Sequence, residues 1–398
     1  MQLLIADRFA ADFLSDFRAL GLSVEYQPDV TAEGLERAAA NANILVVRSK
    51  KVARPAIEKA ASLALIIRAG AGYDTIDVDA ASERGIFVTN CPGKNSAAVA
   101  ELTLGLLLAL DRRIPDNTAD LARGRWNKKE YGKADGVKGR TMGVVGTGAI
   151  GREVAARARA FDMRVIAWSR SLTEARAAEL AVERCATLDE LATRSDVVTL
   201  HLAQNSSTKG MFGAEFFAKM KKGAIFINTS RGGLVDAEAM KGAMKEKGLR
   251  VALDVFDKEP AEGTAEFKDD LFTMKGFVGT HHIGASTEQA QNAIAAEAVR
   301  ICREFVMTGQ VPNVVNIKKH AVTHHQLIVR HYDKVGVLAN VLGIIRNHGI
   351  NVEEMSNTIF QGQKAAIAIL RLSVAASTSL VEEISGLRDQ VIFAEAKS

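Results

Sequence analysis

The chain has 398 residues, 47% hydrophobic and 25% charged, which is enough for two to three domains at roughly 150 residues each and excludes a disordered, collagenous or low-complexity protein. Lys+Arg 51 against Asp+Glu 47 leaves a net charge of +4, too small and too dispersed for a nucleic-acid or membrane-surface binder, while small anionic substrates stay open. Cys91, Cys185 and Cys302 have no paired spacing, so neither a disulfide framework nor a zinc site is expected, and a reducing, cytoplasmic compartment fits best.

Met1 to Asp7 reads as a strand ending in an acid, without the basic segment and apolar core of a signal peptide. Short β-rich runs at Leu3–Ala6, Val24–Tyr26, Ile44–Val47, Leu65–Arg68 and Phe87–Thr89 alternate with helical segments such as Thr31–Ala42 and Arg54–Ala60. That alternation predicts parallel βα units. The apolar helix Val99–Leu110 stops at Asp111-Arg112-Arg113, well short of a membrane span. Strands follow at Met142–Val145, Arg164–Trp168, Val197–Leu200, Ala224–Asn228 and Arg250–Leu253, so two doubly wound parallel sheets are expected in this α/β chain. A helix around Thr287–Phe305 leads to Val311-Pro312-Asn313, where the chain is expected to return to the first sheet. Beyond a connector near Lys318–Thr323 the order changes to strand His324–His331, helix Val337–Asn347, strands Asn351–Phe360 and Lys364–Leu372, helix Leu380–Leu387 and strand Val391–Glu395. This is a βαββαβ unit, its second helix opened by the capping box Ser379-Leu380-Val381-Glu382.

Gly146-Thr147-Gly148-Ala149-Ile150-Gly151 follows a strand and opens a helix expected at Arg152–Phe161. In that context the first glycine permits a tight turn, the second lets a pyrophosphate approach the backbone, and the third lets helix and strand pack, with the helix N-terminus facing the anion. Where NAD-selective sites place an acid after the next strand, this chain has Ser169-Arg170. A neutral hydroxyl and a guanidinium suit a 2′-phosphate, so the cofactor is NAD or NADP, with NADP acceptance a specific expectation.

Three polar groups stand just beyond carboxyl ends of strands, where open α/β sheets bind ligands. Arg231 follows Ala224–Asn228, Asp254 follows Arg250–Leu253 with Glu259-Pro260 close behind, and His282 follows the expected strand Phe277–Gly279. A 2-hydroxy acid loses a hydride from carbon and a proton from oxygen. His282 can take the proton, Glu259 can orient the ring and favour its charged form, and Arg231 can hold the carboxylate. The adjacent His281-His282 point apart and lack partners at ligand spacing, so no metal is expected.

Taken in order, Val47-Arg48-Ser49, Arg68-Ala69-Gly70-Ala71-Gly72-Tyr73-Asp74, Asn95-Ser96 with Val99-Ala100-Glu101, the glycine loop, Asn228-Thr229-Ser230-Arg231-Gly232, Leu253-Asp254-Val255-Phe256 with Glu259-Pro260, and His282-Ile283-Gly284 resemble the D-isomer-specific 2-hydroxyacid dehydrogenases over nearly the whole chain. Most similar is the branch that oxidises 3-phospho-D-glycerate and ends in an ACT domain. The resemblance implies a flavodoxin-like substrate domain (1–98 with 286–317), a Rossmann nucleotide domain (99–285) and a ferredoxin-like ACT domain (324–398). It makes Arg231, Glu259 and His282 the catalytic set. Cofactor contacts then fall to Gly146, Gly148, Ala149, Ile150, Gly151, Ser169, Arg170, Leu202, Thr229, Ser230, Arg231, Asp254 near the nicotinamide carboxamide, His282 and Gly284. Substrate contacts fall to Arg48, Ser49, Ala71, Gly72 and Asn95, with Arg48, Lys50, Lys51 and Lys128 as cations for a phosphate.

The segment Arg123–Lys128 is similar to one that packs across a dimer axis in the family, anchored by Trp126, with Lys128 reaching the neighbouring site; pairing of ACT domains would extend a dimer to a tetramer. In the tail, His331, Asp333 and Asn351 correspond to effector contacts, the ligand commonly being serine. Departures from the family pattern are His281 and Ala203 for Pro, Ser169 for Asp, and Asp333 and Val335 for Asn and Pro. Competing readings are a glyoxylate or hydroxypyruvate reductase, favoured by Ser169-Arg170, and a nucleotide-sensing corepressor, which needs no Arg/Glu/His set.

Overall fold

The run Ile44-Leu45-Val46-Val47 is apolar and buried at every position, as a central strand must be when helices cover both faces of a parallel sheet. In the computed structural model, which describes residues 1–260, 264–318 and 325–397, it is the middle of five parallel strands. Their order is Ser23–Tyr26, Gln2–Ile5, Ile44–Val47, Leu65–Arg68, Phe87–Asn90. A second parallel sheet has seven strands, ordered Phe277–Gly279, Arg250–Leu253, Ile225–Asn228, Val197–Leu200, Thr141–Val145, Arg164–Trp168, Glu183–Arg184. Winding reverses between Thr141–Val145 and Val197–Leu200, and the carboxyl ends there open the crevice in which such sheets bind ligands.

The helix Glu288–Thr308 carries the chain back to the first sheet. Its Ile294, Ala298, Ile301 and Cys302 join a core with Leu3, Ile5, Phe17 and Ile44, and an antiparallel bridge from Thr89 to Val314 closes the return where Val311-Pro312-Asn313 pointed. On this helix the buried Glu297 receives hydrogen bonds from Arg300 at 3.0 and 2.7 Å and from Asn313 at 2.9 Å, and pairs with Lys94 at 3.3 Å. The Arg300 bonds above all, against the cost of burial, hold its carboxyl down at about 2 rather than the ordinary 4.5. A group depressed on folding stabilises fully above its unfolded value and loses that contribution as pH falls through the folded one. The melting temperature of the wild type is therefore expected to fall more steeply between pH 4.5 and about 2 than that of Glu297→Gln; parallel curves from calorimetry would count against this.

Two compact units result, Met1–Ile317 and Lys318–Ser398. The second is a four-stranded antiparallel sheet ordered Val352–Ile359, Ala365–Leu372, His325–Tyr332, Val391–Lys397, with helices Val337–Asn347 and Thr378–Ser385 on one face. The expected connector beyond Lys318, and His324 at the start of the first strand, lie outside the described residues. Cys91, Cys185 and Cys302 are free and buried. Among the described residues no helix is long and apolar enough to cross a membrane, and no three His, Cys, Asp or Glu side chains gather as metal ligands.

Several expected elements are corrected. The helix placed at Thr31–Ala42 is only Leu35–Ala38, because the Thr31 hydroxyl accepts the Gly34 N–H at 3.0 Å and holds the preceding residues in a turn. The last helix is capped by Ser377, whose Oγ accepts the Leu380 N–H at 3.2 Å, two residues before the expected cap. The helix after the glycine loop starts at Ala149 rather than Arg152, so Ala149 and Ile150 are its first turn. The short edge strand Glu183–Arg184 and the helix Ile114–Ala122 are additions.

Candidate active site

At the glycine loop each glycine meets a different constraint. Gly146 has φ 97°, and a Cβ there would lie 2.4 Å from the His201 carbonyl oxygen and 3.0 Å from Leu202. A Cβ on Gly151 would lie 1.9 Å from the Gly146 carbonyl oxygen. At Gly148, the N-cap of Ala149–Ala160, a Cβ would meet nothing within 4 Å, so an open face stands before the helix's first N–H groups. A dinucleotide pyrophosphate fits that opening. Ser169 is half-buried and Arg170 exposed at the end of Arg164–Trp168, with Arg170 Nη1 3.5 Å from Ser207 Oγ. The neighbouring His201 is half-buried, and desolvation of its ring pushes it down to about 3 and keeps it neutral.

The 228–233 loop is shaped by Asn228, whose Oδ1 accepts the Ser230 N–H at 2.9 Å while its Nδ2 donates to the Arg231 carbonyl at 2.8 Å. Ser230 Oγ donates to the Leu200 carbonyl at 2.5 Å, and Thr229 Oγ1 lies 3.1 Å from Thr103 Oγ1 on the helix Ser96–Arg112. Gly232 then crosses the Phe256–Asp257 peptide so closely that a Cβ would lie 2.1 Å from Phe256 C. This crossing sets the Arg231 loop against the Glu259 loop. Glu259 accepts the Phe256 N–H at 2.8 Å with one oxygen and meets His282 Nδ1 at 2.7 Å with the other. Burial opposes its charge, but the hydrogen bonds from His282 and Phe256, with the charges of His282 and Arg231, hold its carboxyl below the usual carboxylate range.

His282 has φ 53°, a left-handed backbone that is uncommon outside glycine. Asp254 maintains it. The Asp254 carbonyl accepts the His282 N–H at 2.8 Å; its carboxylate, 1% exposed, accepts Thr280 Oγ1 at 2.6 Å, Ile283 N at 2.8 Å and Gly284 N at 2.9 Å. Both carboxylate oxygens are thus bound within the 280–284 loop, so Asp254 holds that loop rather than presenting a free carboxylate to a nicotinamide.

The first sheet's loops face the same cleft. Asp7 Oδ2 accepts the backbone N–H groups of Arg48, Ser49 and Lys50 at 2.8, 2.9 and 2.9 Å, fixing the 48–50 loop. Arg48 Nη1 donates to Gln291 at 3.0 Å, whereas Lys50 Nζ is tied to the Pro28 and Val30 carbonyls and is not free for a phosphate. Asn90 Nδ2 donates to the Ala71 carbonyl at 2.6 Å. Arg68 lies over Gly70 and Arg231 over Gly72, where Cβ atoms would be 1.6 and 1.8 Å from the guanidinium nitrogens. Arg231 pairs with Asp74 at 3.0 Å. Burial first, then repulsion from Arg231 and Arg48, brings Arg68 down to about 10. Asn95 Oδ1, buried at the start of Ser96–Arg112, has no hydrogen-bond partner. Lys128 instead lines a different cavity of about 530 Å³ with Leu121, Arg125, Trp126 and Tyr131.

The three effector candidates are not brought together within one chain. His331 is 2% exposed, with its ring between the Tyr332 carbonyl at 2.8 Å and Asn357 at 3.0 Å. It and Asp333 sit at the end of the strand that pairs with Ala365 and Ala366. Asn351 is at the opposite end, beside Leu372, where it lines a cavity of about 470 Å³ with Arg346, Gly349 and Ile350. Asp7, Arg68, Asp74, Asn228 and Gly232 had no assigned role from sequence; Arg68, Asp74, Asn228 and Gly232 stood inside recognised motifs, whereas the reach of Asp7 across 41 residues left no local mark.

Two parallel sheets meeting over a dinucleotide loop and a His–Glu pair define a class of dehydrogenase, and residues 104–284 match the model of the D-isomer specific 2-hydroxyacid dehydrogenase NAD binding domain. The chain belongs to the D-isomer specific 2-hydroxyacid dehydrogenase family. Among its relatives, D-3-phosphoglycerate dehydrogenase from Methanocaldococcus jannaschii is 41% identical over 322 residues, 80% of this chain and 60% of that protein. The chain thus matches less than two thirds of that relative's length. Hydroxypyruvate reductase from Thermotoga maritima is 42% identical over 278 residues, 68% of this chain and 89% of that protein. The solved structure of NAD+-bound 3-phosphoglycerate dehydrogenase from Entamoeba histolytica superposes with TM-score 0.67 at 25% identity, covering 80% of this chain and 99% of that one.

Proposed function

We propose that the protein oxidises 3-phospho-D-glycerate to 3-phosphohydroxypyruvate with a nicotinamide cofactor, the entry step to L-serine synthesis. The observation that carries this is the His282–Glu259 contact of 2.7 Å through Nδ1, which leaves Nε2 free to take the substrate's hydroxyl proton while Glu259 balances the charge that arrives on the ring. Arg231 holds the carboxylate. Arg68 interacts with both Arg231 and Arg48 as well as with Asp74, and this grouping of guanidinia offers donors that suit a substrate with a second anionic group. The residues around Gly146, Gly148 and Gly151 hold the cofactor, which when bound supplies the hydride acceptor.

In this reading the substrate domain is 1–98 with 286–317, the nucleotide domain 99–285, and the tail from 324 an ACT domain taking serine. The tail's exposed edge strand Val352–Ile359 is open to pairing with a second copy, and Trp126, 83% exposed, anchors a homodimer. Ser169 and Arg170 serve NADP as well as NAD. Hydroxypyruvate reduction is the second reading, supported by the Thermotoga maritima relative, whose match leaves out about a third of this chain.

One panel decides between them: phosphoglycerate, lactate, glyoxylate and hydroxypyruvate, each with both cofactors, the phosphoglycerate assay repeated with serine. Phosphoglycerate is expected to have the highest kcat/KM, by about tenfold or more. A preference for hydroxypyruvate with NADPH would move the assignment to the second reading, a large NADH advantage would remove the NADP expectation, and no response to serine would leave the tail an assembly module.

A further inference from the structure

We infer that Asp74 is a positioning residue for Arg231, a carboxylate on one sheet's loop that sets the angle at which the other sheet's guanidinium meets the substrate. The inference rests on the dehydrogenase reading above. The two residues are 157 apart in sequence, on loops that follow different sheets. Arg231 Nε donates to the two Asp74 oxygens at 3.2 and 3.1 Å, Nη2 donates to Oδ1 at 3.0 Å, and Nη1 donates to the Ser230 carbonyl at 2.7 Å. A guanidinium carries five N–H groups in a fixed fork. These acceptors take three, which leaves one on each terminal nitrogen, the pair that a carboxylate engages as two parallel hydrogen bonds. Asp74 therefore grips Arg231 by its side edge and leaves the end edge to the substrate; it does not compete for that edge.

Gly72 completes the socket. A Cβ there would lie 1.8 Å from Arg231 Nη2 and 3.0 Å from Asp74 Oδ1, so the guanidinium takes this place against the backbone only because residue 72 has no side chain. Burial opposes the Asp74 charge, but the hydrogen bonds and charge of Arg231 outweigh it and keep the carboxyl below its ordinary range, ionised at neutral pH. The Asp74 charge also offsets part of the repulsion that Arg231 exerts on Arg68. Alignment of the substrate anchor and the meeting of the two sheets' loops are thus one event, and Arg231 takes its working angle only where the first sheet delivers Asp74.

Asp74→Asn keeps the shape, removes the charge and leaves one acceptor oxygen. Binding of oxalate, a small mimic of a 2-keto acid, is followed by quenching of bound NADH or NADPH fluorescence, beside kcat, KM, cofactor affinity and melting. Oxalate affinity is expected to fall at least tenfold and kcat/KM about a hundredfold, with cofactor affinity within about twofold and melting unchanged; a purely structural role would move all four together. Asp74→Glu keeps the charge and is expected to recover at least fivefold of the lost kcat/KM; should the Asn variant not fold, an intermediate loss of oxalate affinity in the Glu variant at native melting decides. Oxalate affinity and kcat/KM within threefold of wild type in the Asn variant, or in the Glu variant where only that one folds, overturn the inference, as does a wild type that does not bind oxalate. If the wild type turns over no substrate of the panel, the dehydrogenase reading falls while the oxalate titration still judges Asp74.

Discussion

Replacing His282 by Asn is expected to lower kcat by about 10³-fold, within the 10² to 10⁴ that a positioned general base contributes. Asn is the informative substitution because position 282 has φ 53°, a conformation that Asn tolerates better than most residues. The variant keeps the backbone bond to the Asp254 carbonyl and the Asp254 grip on Ile283 and Gly284, so the loop survives while the proton acceptor is gone. Cofactor binding, measured by fluorescence titration, is expected to stay within about twofold. Turnover within tenfold of the wild type would remove His282 from its role and with it the 2-hydroxy acid chemistry.

The second large effect separates two adjacent glycines. In Gly232→Ala the new Cβ would lie 2.1 Å from Phe256 C, 2.2 Å from Asp257 N and 2.4 Å from Phe256 O. These are backbone atoms that cannot step aside, so the loops bearing Arg231 and Glu259 must part by about 1 Å or more, a displacement that costs on the order of 100-fold in rate when it misplaces reacting groups. In Gly233→Ala the new atom meets only the end of the Gln204 side chain, at 2.6 Å, and another rotamer relieves it at little cost. We expect kcat/KM to fall about 100-fold in the first variant and no more than about threefold in the second. Equal effects would show that the crossing at Phe256–Asp257 does not set the catalytic geometry.

Short runs buried at every position, such as the wholly apolar Ile44–Val47 and Val197–Leu200 with its single buried Thr199, were legible to the residue, because burial on both faces leaves few polar positions to blur their ends. The glycine loop was legible from its spacing between a strand and a helix; Gly146 and Gly151 leave no room for a Cβ, while Gly148 faces open space. Helix ends were less so: Thr31, Ser377 and Ser379 all offer hydroxyls that can cap or turn the chain, and which is used depends on backbone angles that the sequence does not display. The Arg231, Glu259 and His282 set came from motifs, but the roles of its supports did not. Asp74 and Gly232 act on partners brought close only by the crossing of separate loops, and the diversion of Lys50 to carbonyls near Val30 is a tertiary choice that spacing cannot express.

The return of Glu288–Thr308 to the first sheet has a consequence for synthesis on the ribosome. Leu3, Ile5, Ile44 and Ile67 form a greasy face whose cover, from Ile294 to Cys302, is translated last within that unit. About 200 residues separate the end of those strands from their cover, a delay of roughly 10 to 40 seconds at ordinary elongation rates. During that interval the earliest strands to emerge are the ones most exposed to aggregation, and a nascent chain halted just before the returning helix will need a chaperone more than the finished protein does.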